Sequence, residues 1–332
     1  MEKQRLVWAD SLKGWLMLLV IIGHAVQCVL RADCDSNHLW NLIYAFHMPA
    51  FMAISGWLAF RGIKEIRLLS TIKRRAQQLL IPYFIWSIIE FSLSGPYTIE
   101  QGLKMIVSPD SYFWFLWVLF WINVIFVSAQ WVAEKMHTNE LLCIGACCVL
   151  LMGLMVGLEI RIVGFQFIAY YFLFYTLGYC IHRFCILQLK NKVLLIGTTF
   201  VWAILAWYWN MHSLPTWMPA IPHVPSTLLQ YAYRGLTALL AIEVIMSMSP
   251  RWLNGTGGWN TWMKDFGTIS LGIYVIHLFL LGHIAKFAKM ITTCDTWVIV
   301  LTCIVVTVAA YWIAKLLQKN TVTSKYLLGK NS

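Results

Sequence analysis

The sequence predicts an all-α integral membrane protein of about ten transmembrane helices, a single polytopic domain over residues 1–332 with both termini cytoplasmic. Three observations lead there. Hydrophobic residues make up 60% of the chain and charged residues only 12%, where a soluble domain carries roughly a quarter charged residues. So few charges cannot cover a soluble core of this size, and lipid is the solvent that suits such a surface. The apolar residues also fall in runs about as long as a bilayer is thick, and the basic residues gather in particular loops.

A hydrocarbon core of about 30 Å takes about 20 helical residues. Runs of that kind extend from Leu12 to Leu30, Leu39 to Phe60, Leu79 to Ser94, Tyr112 to Val132 and Leu141 to Leu158. The others are Gly164 to Ile181, Val193 to Asn210, Ser226 to Met248, Phe266 to Ala288 and Thr296 to Leu316. The first is not expected to be a cleaved leader. It has spanning length, carries Asp10 and Lys13 at its start and lacks a small-x-small exit. Abundant aromatics, with 18 Trp, 14 Tyr and 18 Phe, fit helices whose ends sit at membrane interfaces.

Loop charges set the orientation. With the N-terminus inside, the cytoplasmic segments hold Lys3, Arg5 and Lys13, then Arg61, Lys64, Arg67, Lys73, Arg74 and Arg75. They also hold Lys135, Arg183, Lys190, Lys192, Arg251, Lys264 and the tail lysines. The other side keeps Arg31, Lys104, Arg161, Lys286 and Lys289, with Arg234 inside a helix. That asymmetry follows the positive-inside rule, so the net charge of +11 is assigned to topology and no nucleic-acid partner is expected. Six of the nine Cys (Cys28, Cys143, Cys147, Cys148, Cys180 and Cys303) lie in or beside apolar runs, where Cys behaves as a small hydrophobe. No Cys or His spacing points to a metal. Cys34 and Cys294 are expected to share the non-cytoplasmic face, where they could pair.

Ionisable residues inside spans are costly and mark functional sites by default. At about 1.5 Å per helical residue, His24 sits about 18 Å above the cytoplasmic end of the first helix. His47 reaches about the same height on the second. Glu90, Asn123, Arg234 and His277, on four further helices, fall within about 5 Å of that level. Taken singly, each has a structural explanation. A lone transmembrane His or Asn is most often a helix–helix hydrogen-bond partner, and Glu90 with Arg234 would make an ion pair. Six side chains from six helices at one depth are harder to explain that way. His38 and His283 fall near the outer surface and His137 in a loop.

The residues around His24 sharpen the expectation. The first helix reads Asp10-Ser-Leu-Lys13-Gly14 and then Ile22-Gly23-His24; the second reads Phe46-His47-Met48-Pro49-Ala50-Phe51 and Ile54-Ser55-Gly56-Trp57. Arg75 precedes Ile81-Pro82-Tyr83-Phe84, and Trp114-Phe115-Leu116 and Ile273-Tyr274-Val275-Ile276-His277 follow. Together these resemble acyltransferase family 3, the membrane O-acyltransferases that include fucose 4-O-acetylase-type proteins. The family's first motif is a basic residue, ten others and a His, and Lys13 to His24 matches it. The match is dense over about residues 6–90 and patchy beyond. One departure stands out. The family often has Arg-x-x-Arg before its Leu-Leu-Ile-Pro-Tyr run, and here Arg75 is followed by Gln78. Either Arg74 or Lys73 supplies the missing charge, or that contact is weaker.

The resemblance implies acetyl-CoA or a related acyl-CoA as co-substrate, with no permanently bound cofactor. It implies a sugar or surface-glycan hydroxyl as acceptor, in a bacterial inner membrane. The basic Arg61–Arg75 loop suits the CoA phosphates, since Arg makes forked phosphate contacts, although topology alone also makes such loops basic. His24 is the expected base for the acceptor hydroxyl. Asp10 or Glu90 could orient the other ring nitrogen of His24, but Asp10 is expected instead to position Lys13 three residues on, with Lys13 near the cytoplasmic mouth. His47, Glu90, Asn123, Arg234 and His277 are candidates to hold the acceptor or the developing oxyanion. Direct transfer and an acyl-His intermediate both fit. The rival expectation is a secondary transporter or exporter of a glycolipid or small metabolite, for which mid-membrane charges serve equally well. It lacks the paired Gly/Pro-broken helices of inverted repeats.

The orientation is testable. A cysteine at Ser70, in a background cleared of reactive native cysteines, should resist an impermeant thiol reagent added to intact cells and react once the membrane is opened. Labelling from outside would overturn the topology and the CoA assignment together.

Overall fold

The computed structural model describes residues 6–60, 67–94, 98–109, 113–158, 160, 162–185, 191–219, 221–222, 224–255 and 257–330. Of the residues named above, Lys3, Arg5, Arg61, Lys64, Tyr112, Arg161 and Lys190 lie outside them. Among the described residues the chain is helical, with no strand. The first helices are α1 (Val7–Leu30), α2 (His38–Tyr44), α3 (His47–Ala59), α4 (Leu68–Arg75) and α5 (Ile81–Ser94). Then come α6 (Ile99–Val107), α7 (Trp114–Lys135), α8 (Glu140–Leu158), α9 (Phe165–Phe184) and α10 (Lys192–Trp207). The last are α11 (Ser226–Trp252), α12 (Gly258–Thr268), α13 (Ser270–Ile291), α14 (Asp295–Lys319) and α15 (Thr321–Tyr326).

Among the described residues, eight helical stretches are long and apolar enough to cross a membrane, and they coincide with eight of the ten expected runs. The run from Leu39 to Phe60 is built from α2 and α3, parted by a turn at Ala45 and Phe46. The two runs without such a stretch are Leu79 to Ser94 and Val193 to Asn210. They contain α5, of 14 residues, and α10, of 16 residues, both short of the about 20 that a span takes.

The contacts divide the chain into two compact units, Met1–Ile54 with Phe184–Trp312, and Ser55–Arg183 with Ile313–Ser332. In the first unit α1 is the column on which the rest is built: α12, α13, α2 and α11 all pack on it. Its start meets α12 at two facing glycines. A Cβ on Gly14 would lie 3.1 Å from the Met263 carbonyl carbon and 3.2 Å from the Gly267 amide nitrogen. One on Gly267 would lie 2.8 Å from the Gly14 amide nitrogen and run into the Asp10 carbonyl. Small residues are what let apolar helices approach this closely. At its far end, Val29 packs with Ala285 and Ala288 of α13 and Val298 of α14. No disulfide joins Cys34 to Cys294: both are free, Cys34 buried and Cys294 exposed.

In the second unit α4 passes into α5 through a π-helical turn, Ala76–Leu80, closed by the Ile81 N–H on the Ala76 carbonyl. Pro82 explains the widening, since it has no N–H for the Gln78 carbonyl and its ring would crowd that carbonyl in a regular helix. The residues after it anchor the turn. The buried Tyr83 hydroxyl donates to the Met105 carbonyl at 2.6 Å, and Trp86 Nε1 donates to the Leu327 carbonyl at 2.9 Å. Elsewhere in the unit Arg183 pairs with Glu140. Glu140 Oε1 also accepts from the Tyr179 hydroxyl at 2.6 Å and from Gln130 Nε2 at 2.5 Å, so one network ties α7, α8 and α9.

The glycine contact carries a prediction. Gly267→Val drives a branched side chain into the α1 backbone, and overpacking of this kind costs about 1–3 kcal/mol. The variant should melt several degrees below wild type or fail to accumulate, while Gly145→Val, with open space around its Cβ, should melt as wild type does. Equal melting of all three proteins would refute the contact.

Candidate active site

The polar residues of the first unit lie along α1 and the helices packed on it. Lys13 and His24 are eleven residues apart, which at 3.6 residues per turn is about three turns and about 16 Å. They therefore share one face of α1, and both are half-buried. At the lower end of that face Lys13 Nζ meets Asp10 Oδ1 at 2.6 Å, the pair expected from their spacing. The Asp10 backbone sits at the Gly267 crossing, so the pair is attached to the most tightly packed point of α1.

At the upper end three histidines occupy three helices. His277 of α13 is fully buried, and its ring meets that of His24 edge-on, with centroids 5.3 Å apart. His277 Nδ1 lies 3.1 Å from the Ile273 carbonyl four residues back. His47 makes the same bond to the Ile43 carbonyl at 2.7 Å. A carbonyl only accepts, so in both rings Nδ1 carries the hydrogen and Nε2 presents a lone pair. His277 Nε2 is buried and has no hydrogen-bond partner. His24 differs from both: the residue as a whole is half-buried, and its ring contacts His277 without a hydrogen bond.

Tyr44, at the end of α2, was not among the sequence candidates. Its ring lies 4.8 Å from that of His47 and rests on α1, where a Cβ on Gly23 would be 2.8 Å from it. Its hydroxyl donates to Gln27 Oε1 at 3.1 Å, one turn beyond His24. Both were discoverable: Gln27 follows His24 by three residues and Tyr44 precedes His47 by three. Arg234 of α11 is half-buried, with its guanidinium over the rings of Trp209 at 5.6 Å and Tyr231 at 5.9 Å, a favourable setting for a cation in an apolar surround.

The remaining candidates belong to the second unit. Asn123 Oδ1 accepts from the buried Tyr175 hydroxyl at 3.0 Å, and Nδ2 donates to the Leu119 carbonyl at 2.7 Å. The amide thus joins α7 to α9 and keeps one N–H and one lone pair in hand. Glu90 is half-buried on α5. Lys73 is exposed, and Arg74 and Arg75 are half-buried at the end of α4. Arg75 Nη1 donates to Gln78 Oε1 at 3.2 Å, while its buried Nε has no partner. Gln78, which stands where a second Arg was anticipated, therefore holds the first one in place.

Comparison with known proteins adds an independent finding. The sequence model of a family described as "Acyltransferase domain" matches residues 6–315. Two curated proteins, each named Nodulation protein NolL, also align. That of Sinorhizobium fredii is 31% identical over 185 residues, covering 51% of this chain and 47% of its own. That of Mesorhizobium japonicum is 33% identical over 120 residues, covering 33% and 32%. The chain thus spans about half or less of the length of the curated relatives it matches. No solved structure matches.

Proposed function

The chain belongs to the acyltransferase-domain family that it matches over residues 6–315, and on that premise we propose that it is a multi-pass O-acyltransferase of the bacterial inner membrane. It moves an acetyl or other short acyl group from acyl-CoA to a hydroxyl of a sugar or surface glycan. The observation that carries this reading is the His24 ring, half-buried, without a hydrogen bond and on the same face of α1 as Lys13. A ring nitrogen free in the resting protein is available to a substrate hydroxyl.

In this reading α5 and α10 complete ten spans and both termini face the cytoplasm, where acyl-CoA is made. Arg75, Arg74 and Lys73 provide positive charge for the CoA phosphates, and Arg75, held by Gln78, keeps its fork pre-set for an anion. Lys13 meets the donor at the lower end of the α1 face, oriented by Asp10. The acceptor hydroxyl passes its proton to His24 as its oxygen attacks the thioester carbonyl. The C–S bond then breaks and the departing thiolate takes that proton, leaving an ester and free CoA. Candidates to hold the acceptor or the oxyanion are His47, Arg234 and His277 in the first unit, and Glu90 and Asn123 in the second.

Purified protein in detergent, given acetyl-CoA and a panel of methyl glycosides, separates these roles. Wild type should release CoA thiol and form an acetylated glycoside. His24→Ala should lower the rate about 10²–10⁴-fold, as loss of a general base does. Arg75→Ala should instead raise the apparent KM for acetyl-CoA about ten- to a hundredfold, the loss of a charged hydrogen bond worth about 1.5–3 kcal/mol. Transfer by His24→Ala at the wild-type rate would remove it from the mechanism. An unchanged KM with collapsed turnover would move Arg75 into the reacting layer.

A further inference from the structure

A general base needs one nitrogen free and the other held, because a ring that turns or changes tautomer presents N–H where a lone pair is required. His47 and His277 are held by their own backbones, through Nδ1 to the carbonyls of Ile43 and Ile273. His24 has no such bond among the described residues, although it is the residue to which the base role falls. Something other than its own helix must hold it.

We propose that His277 is the positioning residue for His24, accepting the N–H of one His24 nitrogen on its own Nε2 so that the other faces the acceptor hydroxyl. The inference rests on the acyltransferase reading and deepens it, giving His277 a role other than holding the acceptor. Four observations support it. The two rings are in edge contact, with centroids 5.3 Å apart. The Nδ1 bond to Ile273 leaves His277 Nε2 as an acceptor. That nitrogen is buried and unpartnered, and a buried polar atom without a partner is costly unless something uses it. His277 is itself fully buried, so it is poorly placed to meet a sugar directly, whereas His24 beside it is half-buried. The ring of His47 contacts that of Tyr44, and the ring of His277 contacts that of His24.

The rings are not hydrogen-bonded in the resting protein. A turn of the His24 ring, or one bridging water, closes the gap, as catalytic hydrogen bonds commonly tighten only once substrate is bound. When the acceptor hydroxyl gives its proton to the free nitrogen of His24, the new positive charge is shared across the N–H to His277. His277 neither gains nor loses a proton over the cycle. The proton leaves His24 with the CoA thiolate.

The test uses the full-length protein in detergent with acetyl-CoA and methyl glycosides. His277→Phe keeps a ring and removes the acceptor, His277→Leu does so with less volume, and His277→Gln restores an acceptor oxygen near the place of Nε2. The expected result is a kcat about ten- to a hundredfold below wild type for Phe and Leu, with KM for the glycoside within about twofold, and recovery of most of that loss by Gln. On the residual rate of His24→Ala, adding His277→Phe should cost nothing further, because a residue acting through His24 has nothing left to act on. If Phe does not fold, Leu and Gln carry the comparison. A wild-type kcat in Phe and Leu overturns the proposal. So does a raised glycoside KM at unchanged kcat, the mark of an acceptor-holding group, and so does a Gln variant as slow as Leu. Losses that multiply in the double variant also overturn it. Wild-type protein that releases no CoA would instead bring down the acyltransferase reading, and this proposal with it.

Discussion

The backbones of α1 and α12 nearly touch at Gly14 and Gly267, and most of what the first unit does follows from that contact. Helices in lipid gain little from hiding apolar surface from one another and hold together by close packing. The two glycines permit it at the start of α1, beside Asp10 and Lys13. Once that end is pinned, α1 runs out with α13 alongside, until Val29 packs on Ala285 and Ala288. The rings of His24 and His277 meet between those two anchored ends.

The second constraint is that polar groups in an apolar surround must be paired or used. Most of those seen here are paired close to home. Two histidines bond the carbonyl four residues back, Asn123 bonds Leu119 and Tyr175, and the Arg234 cation lies over aromatic rings. The glutamate of the Glu140 network is satisfied from three sides. The bare Nε2 of His277 is one of several buried polar atoms without a partner among the described residues, but its ring lies against the unbonded ring of His24, and a reacting hydroxyl at His24 would give both of them a use.

Much of this was legible in the chain, for reasons that can be named. The Lys13–His24 spacing is a whole number of helical turns, so a linear motif reports a shared face. The Asp10–Lys13 pair follows from the same periodicity. Depth placed His24 and His277 at one level because both sit on regular helices. Depth could not say which rings touch, nor that two of the three histidines are tied to backbone, since that depends on rotamers. Tyr44 did not stand out because a tyrosine within an apolar run carries no charge to mark it. The runs at Leu79 and Val193 are as apolar as the others, but their helices are shorter. Around Leu79 the Pro82-driven π turn divides the helix, and after Trp207 the chain leaves α10 before the run ends. Gln78 was legible as a departure, but its bond to Arg75 needed the geometry of that turn.

The central claim is that this bundle places acyl groups on sugar hydroxyls, and mass spectrometry of surface glycans tests it most directly. Cells lacking the gene should lose acetyl groups from a surface sugar. Wild-type protein should restore them, and His24→Ala protein, present in the membrane at the same level, should not. An acylation pattern that is the same in all three strains would contradict the account.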